Sequence, residues 1–161
     1  MKKIALRSMA VAAGAFLAVS SAVAPAAADT PNIESHITTG SDGVEYKVTT
    51  AVDGKPLVDQ QGDPAPIREP LAAAPIRETD CDSRSKPVHI RYGNWLLPKD
   101  KCYSSPGTKT VAMSGVDWLH GGRWNGSVYY KTATACVVRP FASGERLNFS
   151  NDTLCVLSIE Y

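Results

Sequence analysis

The chain has 161 residues, of which 43% are hydrophobic, and it carries 17 Lys and Arg against 16 Asp and Glu. This length allows one or two small domains. The near-neutral balance lacks the strong basic excess of proteins that bind nucleic acids, so we expect no nucleic-acid partner.

The first 28 residues have the pattern of a secretory signal peptide. A basic start at residues 2–7 precedes an apolar run at 9–19, and Ala-Ala-Ala at 26–28 gives a cleavage site before Asp29. The apolar run is shorter than the roughly 20 residues that a transmembrane helix needs, so no membrane span is predicted. The style of the signal is typical of bacterial export. We therefore expect a secreted, extracellular protein whose mature chain begins at Asp29.

Residues 29–79 form an acidic leader, with nine acidic and four basic side chains. Large apolar side chains are scarce and Pro and Ala are frequent, which predicts low-complexity, partly extended structure, with a proline-stiffened linker over Gly62–Thr79. Alternation around Tyr46 and the turn signal Asp53-Gly54 predict one hairpin. Because a lone hairpin is marginally stable in water, it must dock elsewhere or remain partly disordered. A propeptide, a spacer and a tail are all open interpretations of the leader.

Residues 80–161 are predicted to form a compact all-β domain of about 80 residues. All four Cys, all three Trp and five of the six Tyr lie in this segment, among short apolar runs separated by Gly, Pro, Asn and Ser. Trp95 and Trp118 lie in apolar stretches and are predicted to be core residues. The predicted strands are Val88–Tyr92, Thr110–Met113, Val116–Leu119, Ser127–Tyr130, Cys136–Arg139 and Leu154–Tyr161.

Four cysteines in a small exported domain indicate a disulfide framework, for which three pairings are possible. We prefer Cys81 with Cys102 and Cys136 with Cys155, because each pair closes a loop of about 20 residues and contributes about 3 kcal/mol. The spacings match neither a zinc site nor a redox motif.

Three segments of the domain resemble the secreted killer-toxin-like proteins of streptomycetes; they are Cys102–Gly107, Ser127–Lys131 and Val156–Tyr161. The resemblance implies a β/γ-crystallin-like fold, in which two Greek-key motifs pack as a β-sandwich. Cys81 and Cys102 match the two cysteine positions of the family's pattern, whereas Cys136 and Cys155 are additional. The similarity covers the chain from Cys81 onward, and the leader has no counterpart in it.

Many β/γ-crystallin modules bind calcium through a clamp of paired Asn or Asp residues followed by hydroxyl side chains, which supply oxygen ligands. The nearest run here is Asn151–Val156, which has the acidic start but lacks both closing hydroxyls. Asp152 is its only candidate ligand. We therefore predict neither a metal site nor a cofactor.

The common catalytic motifs are missing from the sequence: it contains no H-E-x-x-H, nucleophile elbow, phosphate loop or dinucleotide fingerprint. His120 with Asp117 is the histidine–acid pair that we considered. Residues three apart in a strand face opposite sides, so His120 is interpreted as a surface loop histidine. The protein is predicted not to be an enzyme.

A recognition tip is predicted near the turn signal Asn125-Gly126, since Asn-Gly favours two-residue hairpins. Arg123 and Trp124 belong to the residue types that dominate binding hot spots, although Trp124 equally fits a plug at the open end of a sandwich. A second candidate loop, Tyr103–Lys109, follows Cys102. The predicted binding residues are Arg123, Trp124, Asn125 and Tyr103.

The leading hypothesis is a secreted, non-enzymatic binding protein that acts on other cells or their envelopes, as the resemblance implies. The alternative is a secreted protease inhibitor, because streptomycete metalloproteinase inhibitors share this fold and two disulfides. A rigid loop held by a disulfide lowers the entropic cost of binding, which would suit an inhibitor. A structural protein of the wall or matrix is a third possibility, but no particular residue or motif of the sequence favours it. We expect a monomer with an extracellular target, either an envelope component or a protease.

Overall fold

The computed structural model describes residues 30–82 and 84–160, and the predicted signal peptide at residues 1–28 lies outside them. The described chain is all-β, as predicted, and its strands form a single sheet. Among these residues no helix is long and apolar enough to cross a membrane. The strands are β1 (Ile33–Thr39), β2 (Glu45–Val52), β3 (Lys55–Val58), β4 (Ile67–Pro70), β5 (Arg77–Thr79), β6 (Val88–Asn94), β7 (Leu97–Ser104), β8 (Gly107–His120), β9 (Asn125–Lys131), β10 (Cys136–Phe141) and β11 (Arg146–Glu160).

The strand order is β1-β2-β3-β10-β9-β11-β8-β6-β7-β5, with β4 pairing separately with β2. The β3–β10 pair is parallel. The last strand, β11, inserts between β8 and β9 and pairs with both in antiparallel fashion. The two-Greek-key arrangement implied by the resemblance is not confirmed by this topology.

Irregular positions bend the two longest strands. Ala112 in β8 and Asn151 in β11 have positive φ angles of 39° and 65°, and the register between the two strands shifts near them. Such bulges bend a strand and increase its twist. The sheet can therefore curve around one large hydrophobic cluster, to which β6 to β11 all contribute, including Val88, Leu119 and Leu157.

The leader packs against the other face of the central strands. Leu57, from the leader, shares a second hydrophobic cluster with Tyr129 and Cys136 of β9 and β10. The predicted hairpin is present: Asp53 and Gly54 have positive φ angles of 52° and 70° and connect β2 to β3. It docks onto the rest of the sheet through the parallel pairing of β3 with β10.

The proline-stiffened linker predicted over Gly62–Thr79 is not confirmed, because β4 and β5 lie within it. The segment contains two copies of Ala-Pro-Ile-Arg-Glu, and the isoleucine of each copy is buried. Ile67 joins the second cluster and Ile76 joins the first. Strand pairing of β5 with β7 also crosses the predicted domain boundary at residues 79 and 80.

Both preferred disulfides are confirmed, Cys81 with Cys102 and Cys136 with Cys155.

The prediction that Trp95 is a core residue is wrong, since its side chain is 86% exposed. Trp95 lies in the turn between β6 and β7. Strand β7 is not among the strands predicted from the sequence. Trp118 is half-buried in β8, which runs without a break through the two strands predicted there.

Candidate functional site

A cleft of about 800 Å³ lies between the leader and the domain. The leader supplies Arg68 and Arg77 to its wall, and the domain supplies Arg123 and Trp124. Its acidic lining residues are Glu69 and Glu160. We call it the arginine-lined cleft.

Alternation along β4 determines how the leader contributes to this cleft. Ile67 points into the second hydrophobic cluster, so the next residue, Arg68, emerges on the exposed side of the strand. Its guanidinium carbon lies 4.7 Å from the centre of the Tyr46 ring. The Tyr46 hydroxyl donates to Asp42 Oδ2 at 2.8 Å, and this hydrogen bond lowers the pKa of Asp42 and raises that of Tyr46. Arg68 is thus stacked on an aromatic ring at the rim of the cleft.

The leader wall is fastened to the connection between β7 and β8. The Thr108 amide donates to Glu69 Oε1 at 3.0 Å, and the Arg77 amide donates to Ser105 Oγ at 3.0 Å. Gly107 has a φ of 135°, and a Cβ placed there would lie 2.8 Å from the Ala74 carbonyl oxygen. Only glycine allows the leader to approach this closely. The wall is consequently held in place by main-chain contacts.

The domain wall is formed by the connection from β8 to β9. The Arg123 guanidinium carbon lies 4.6 Å from the centre of the Trp124 ring, and Trp124 itself is only 4% exposed. This burial favours the interpretation of Trp124 as a plug over that of an exposed recognition tip. Arg123 is the exposed member of the pair.

The hairpin predicted at Asn125-Gly126 is wrong, because both residues lie inside β9 and pair with Glu160 and Ile159 of β11. The chain turns before them, between β8 and β9. These two strands are not neighbours, since β11 lies between them, so a two-residue hairpin turn is impossible here. Gly126 serves close packing instead: a Cβ there would lie 2.2 Å from the Ser158 carbonyl oxygen.

The four predicted binding residues are thus only partly brought together. Arg123 and Trp124 line the cleft. Asn125 is exposed at the start of β9, where its Oδ1 accepts from the Ser143 amide at 2.9 Å. Tyr103 is 1% exposed in the large hydrophobic cluster, and this burial raises its pKa. Sequence reasoning missed Arg68 and Arg77, although their repeated Ile-Arg-Glu context was a visible signal.

A second polar cluster lies on the face of the sheet formed by β6, β7 and β8. The Trp118 ring is flanked by the guanidinium groups of Arg91 and Arg146, at 5.3 and 4.7 Å from its centre. The His89 ring meets it edge-on at 4.8 Å. Asp100 accepts hydrogen bonds from Nε and Nη2 of Arg91, which lowers the pKa of Asp100. It also contacts His89 Nε2 at 2.9 Å.

His120 makes its hydrogen bond with the main chain and not with Asp117, the acid nearest to it in sequence. Its Nδ1 accepts a hydrogen bond from the Gly122 amide at 3.1 Å, and Asp117 lies on the opposite face of β8, as the spacing predicts. His89, in contrast, contacts a carboxylate, that of Asp100, at 2.9 Å. These residues lie 11 apart in sequence, and they meet only because β6 and β7 pair in register.

Metal-ligating side chains come together at one place among residues 30–82 and 84–160, where Cys81, His89 and Cys102 offer atoms within 4.8 Å of one another. Both sulfurs belong to a disulfide, so neither is free as a thiolate ligand. Asp152 is half-buried opposite Val116 and is not part of this group. The geometry at Asp152 offers no support for a calcium site.

Comparison of this chain with family models, curated proteins and solved structures gives no match. The resemblance to killer-toxin-like proteins therefore stays an expectation.

Proposed function

We propose that the protein is a secreted, non-enzymatic binding protein that acts on other cells or their envelopes, as the killer-toxin-like resemblance implies. The arginine-lined cleft is the observation that carries this proposal. Its three arginines come from three separate segments, two in the leader and one in the domain. Two disulfides are compatible with a role outside the cell, where oxidising conditions preserve them.

The charges in the cleft favour an acidic ligand. Guanidinium groups bind carboxylates and phosphates through paired N–H donors. Glu69 and Glu160 also line the cleft, so the three arginines exceed the acidic residues by one. One carboxylate oxygen of Glu69 already accepts from the Thr108 amide, which weakens its competition for the guanidinium groups. The ligand class that follows is an envelope polymer bearing carboxylate or phosphate groups.

The size of the cleft is in keeping with such a ligand. Small-molecule sites usually measure about 300–1,000 Å³, and this cleft is about 800 Å³. Its volume suits a segment of a few sugar or amino-acid units. Hydrogen bonds from main-chain amides to Glu69 and Ser105 fasten the leader wall, and the amides of Arg123 and Trp124 bond to main-chain carbonyls in the domain wall. Because both walls are held in this way, little ordering entropy is lost when the ligand binds.

The protease-inhibitor alternative has no comparable observation in its favour. Two segments are expected to enter a protease, Tyr103–Lys109 and His120–Asn125. The first is buried at Tyr103, half-buried over residues 104–109 and hydrogen-bonded to the leader, and the second has its Trp124 buried. An inhibitory loop has to project from the surface to reach a protease cleft.

Co-sedimentation of the mature protein with isolated, lipid-extracted envelopes of bacteria and fungi tests the proposal. Arg68→Gln and Arg77→Gln should each weaken binding roughly tenfold, since a hydrogen bond to a charged group contributes about 1.5–3 kcal/mol. Lys99→Gln is the matched control, because it removes one positive charge outside the cleft. Failure of every envelope to bind, or equal weakening by all three variants, would contradict the proposal.

A further inference from the structure

The turn between β6 and β7 projects three consecutive apolar side chains into solvent. Trp95, Leu96 and Leu97 are 86%, 65% and 71% exposed. Isolated apolar residues on a surface are ordinary, whereas a contiguous exposed group indicates an interaction site. We call residues 95–97 the apolar tip.

The apolar tip is held by a well-ordered hairpin. β6 and β7 pair continuously from Val88 with Tyr103 to Asn94 with Leu97. Asn94 Oδ1 accepts a hydrogen bond from the Leu97 amide at 2.7 Å, which closes the turn. Gly93 has a φ of 104°, and a Cβ there would lie 3.0 Å from the Leu97 carbonyl oxygen. The three side chains are therefore presented in a fixed arrangement, and they contribute little to the core.

Positive charge lies directly behind the apolar tip. Strands β6 and β7 carry Arg91, Lys99 and Lys101 against one acidic residue, Asp100. Arg91 binds Asp100 through two nitrogens at 3.0 and 3.1 Å, and Lys101 lies 3.3 Å from Glu78. Within residues 30–82 and 84–160, no salt bridge engages Lys99. This lysine is the cation nearest to the tip in sequence.

We infer that the apolar tip inserts into the surface of a lipid bilayer that carries anionic headgroups. Tryptophan prefers the membrane–water interface, leucine favours the acyl region below it, and lysine is attracted to anionic lipid. The inference rests on the proposed function, because it names the lipid surface of an envelope as a partner. It uses a surface separate from the arginine-lined cleft.

The small area of the tip argues against a second copy of the chain as its occupant. A buried aromatic side chain covers about 150–250 Å². Three side chains at the upper value remain below the roughly 800 Å² per partner of a standard protein–protein interface. A bilayer needs no matching surface and accepts a small apolar tip together with a nearby charge.

The test is co-sedimentation of the mature protein with vesicles of phosphatidylglycerol and phosphatidylcholine, and with phosphatidylcholine alone. We expect binding to the anionic vesicles and at least roughly tenfold weaker binding after Trp95→Ala, since burial of a large apolar side chain is lost. Lys99→Gln should weaken binding to anionic vesicles only. Ile37→Ala, which changes another exposed apolar residue, and Arg68→Gln, which changes a cleft cation, are the matched controls.

Trp95 is almost fully exposed, so its variant should fold, and unchanged thermal unfolding checks this. Fluorescence gives a second measurement: a blue shift on addition of anionic vesicles should be present in the native chain and absent in Trp95→Phe. Equal binding by Trp95→Ala and Ile37→Ala, or dimers in light scattering that Trp95→Ala abolishes, would overturn the inference. Binding to lipid-extracted envelopes without binding to vesicles would also overturn it, while leaving the proposed function intact. Binding to vesicles without binding to such envelopes would support the tip and contradict the cleft.

Discussion

The docking of the leader can be tested at a single side chain, Leu57. This residue is 2% exposed and lies opposite Cys136 in the parallel pairing of β3 with β10. Leu57→Ala removes three carbon groups from the second hydrophobic cluster. At about 0.8 kcal/mol for each buried group, the transfer contribution is about 2.4 kcal/mol. A residual cavity raises the expected loss of unfolding free energy to about 3–4 kcal/mol.

Equilibrium unfolding in urea measures this loss, with Leu71→Ala as the control. Leu71 is also a leader leucine, but it is 48% exposed, so its substitution should change stability by less than about 0.5 kcal/mol. Both variants should unfold in one transition with an unchanged m-value. A loss below about 1 kcal/mol for Leu57→Ala would refute the reasoning, because it would mean that the leader contributes little to the fold.

Three other predictions concern the disulfides, strand packing and a buried tyrosine. Replacing Cys136 and Cys155 together by Ala should lower unfolding free energy by about 3 kcal/mol in guanidinium titrations, since their separation is 19 residues; a loss below about 1 kcal/mol would contradict this. Gly126→Ala should lose about 1–3 kcal/mol, because its Cβ would meet the Ser158 carbonyl oxygen at 2.2 Å, and an unchanged melting temperature would disprove the close approach. Burial raises the pKa of Tyr103, so the unfolded state loses this proton first and stability should fall as pH rises above about 10. Tyr103→Phe should show a shallower fall in urea unfolding across that range, and an identical slope would contradict the assignment.

The features that could be predicted from the sequence are the local ones. The all-β class follows from short apolar segments between turn residues, and the turn at Asp53-Gly54 follows from residues that tolerate positive φ. Loop length alone favours the pairing of Cys81 with Cys102, without knowledge of the tertiary structure. Each of these inferences depends on residues that are close together along the chain.

The features that were missed depend on which strands become neighbours. Ile67 and Ile76 are single apolar residues among prolines and charges, so nothing local showed that each would be buried in a different cluster. The apolar residues around Trp95 predict a core position, yet a turn places it at the end of a hairpin. Asn125-Gly126 carries the strongest local turn signal, but the insertion of β11 between β8 and β9 prevents a hairpin there.

The leader helps to form both the fold and the proposed site. Leu57 fills the second hydrophobic cluster, while Arg68 and Arg77 supply two of the three arginines in the cleft. A cut at the predicted boundary of residues 79 and 80, followed by loss of the leader, would expose Tyr129 and leave Arg123 as the sole arginine of that site. The same loss would leave the apolar tip in place, since β6 and β7 remain paired with each other. A trimmed domain should therefore lose binding to lipid-extracted envelopes more completely than binding to anionic vesicles. The arginine-lined cleft needs the leader, whereas the apolar tip belongs to the domain alone.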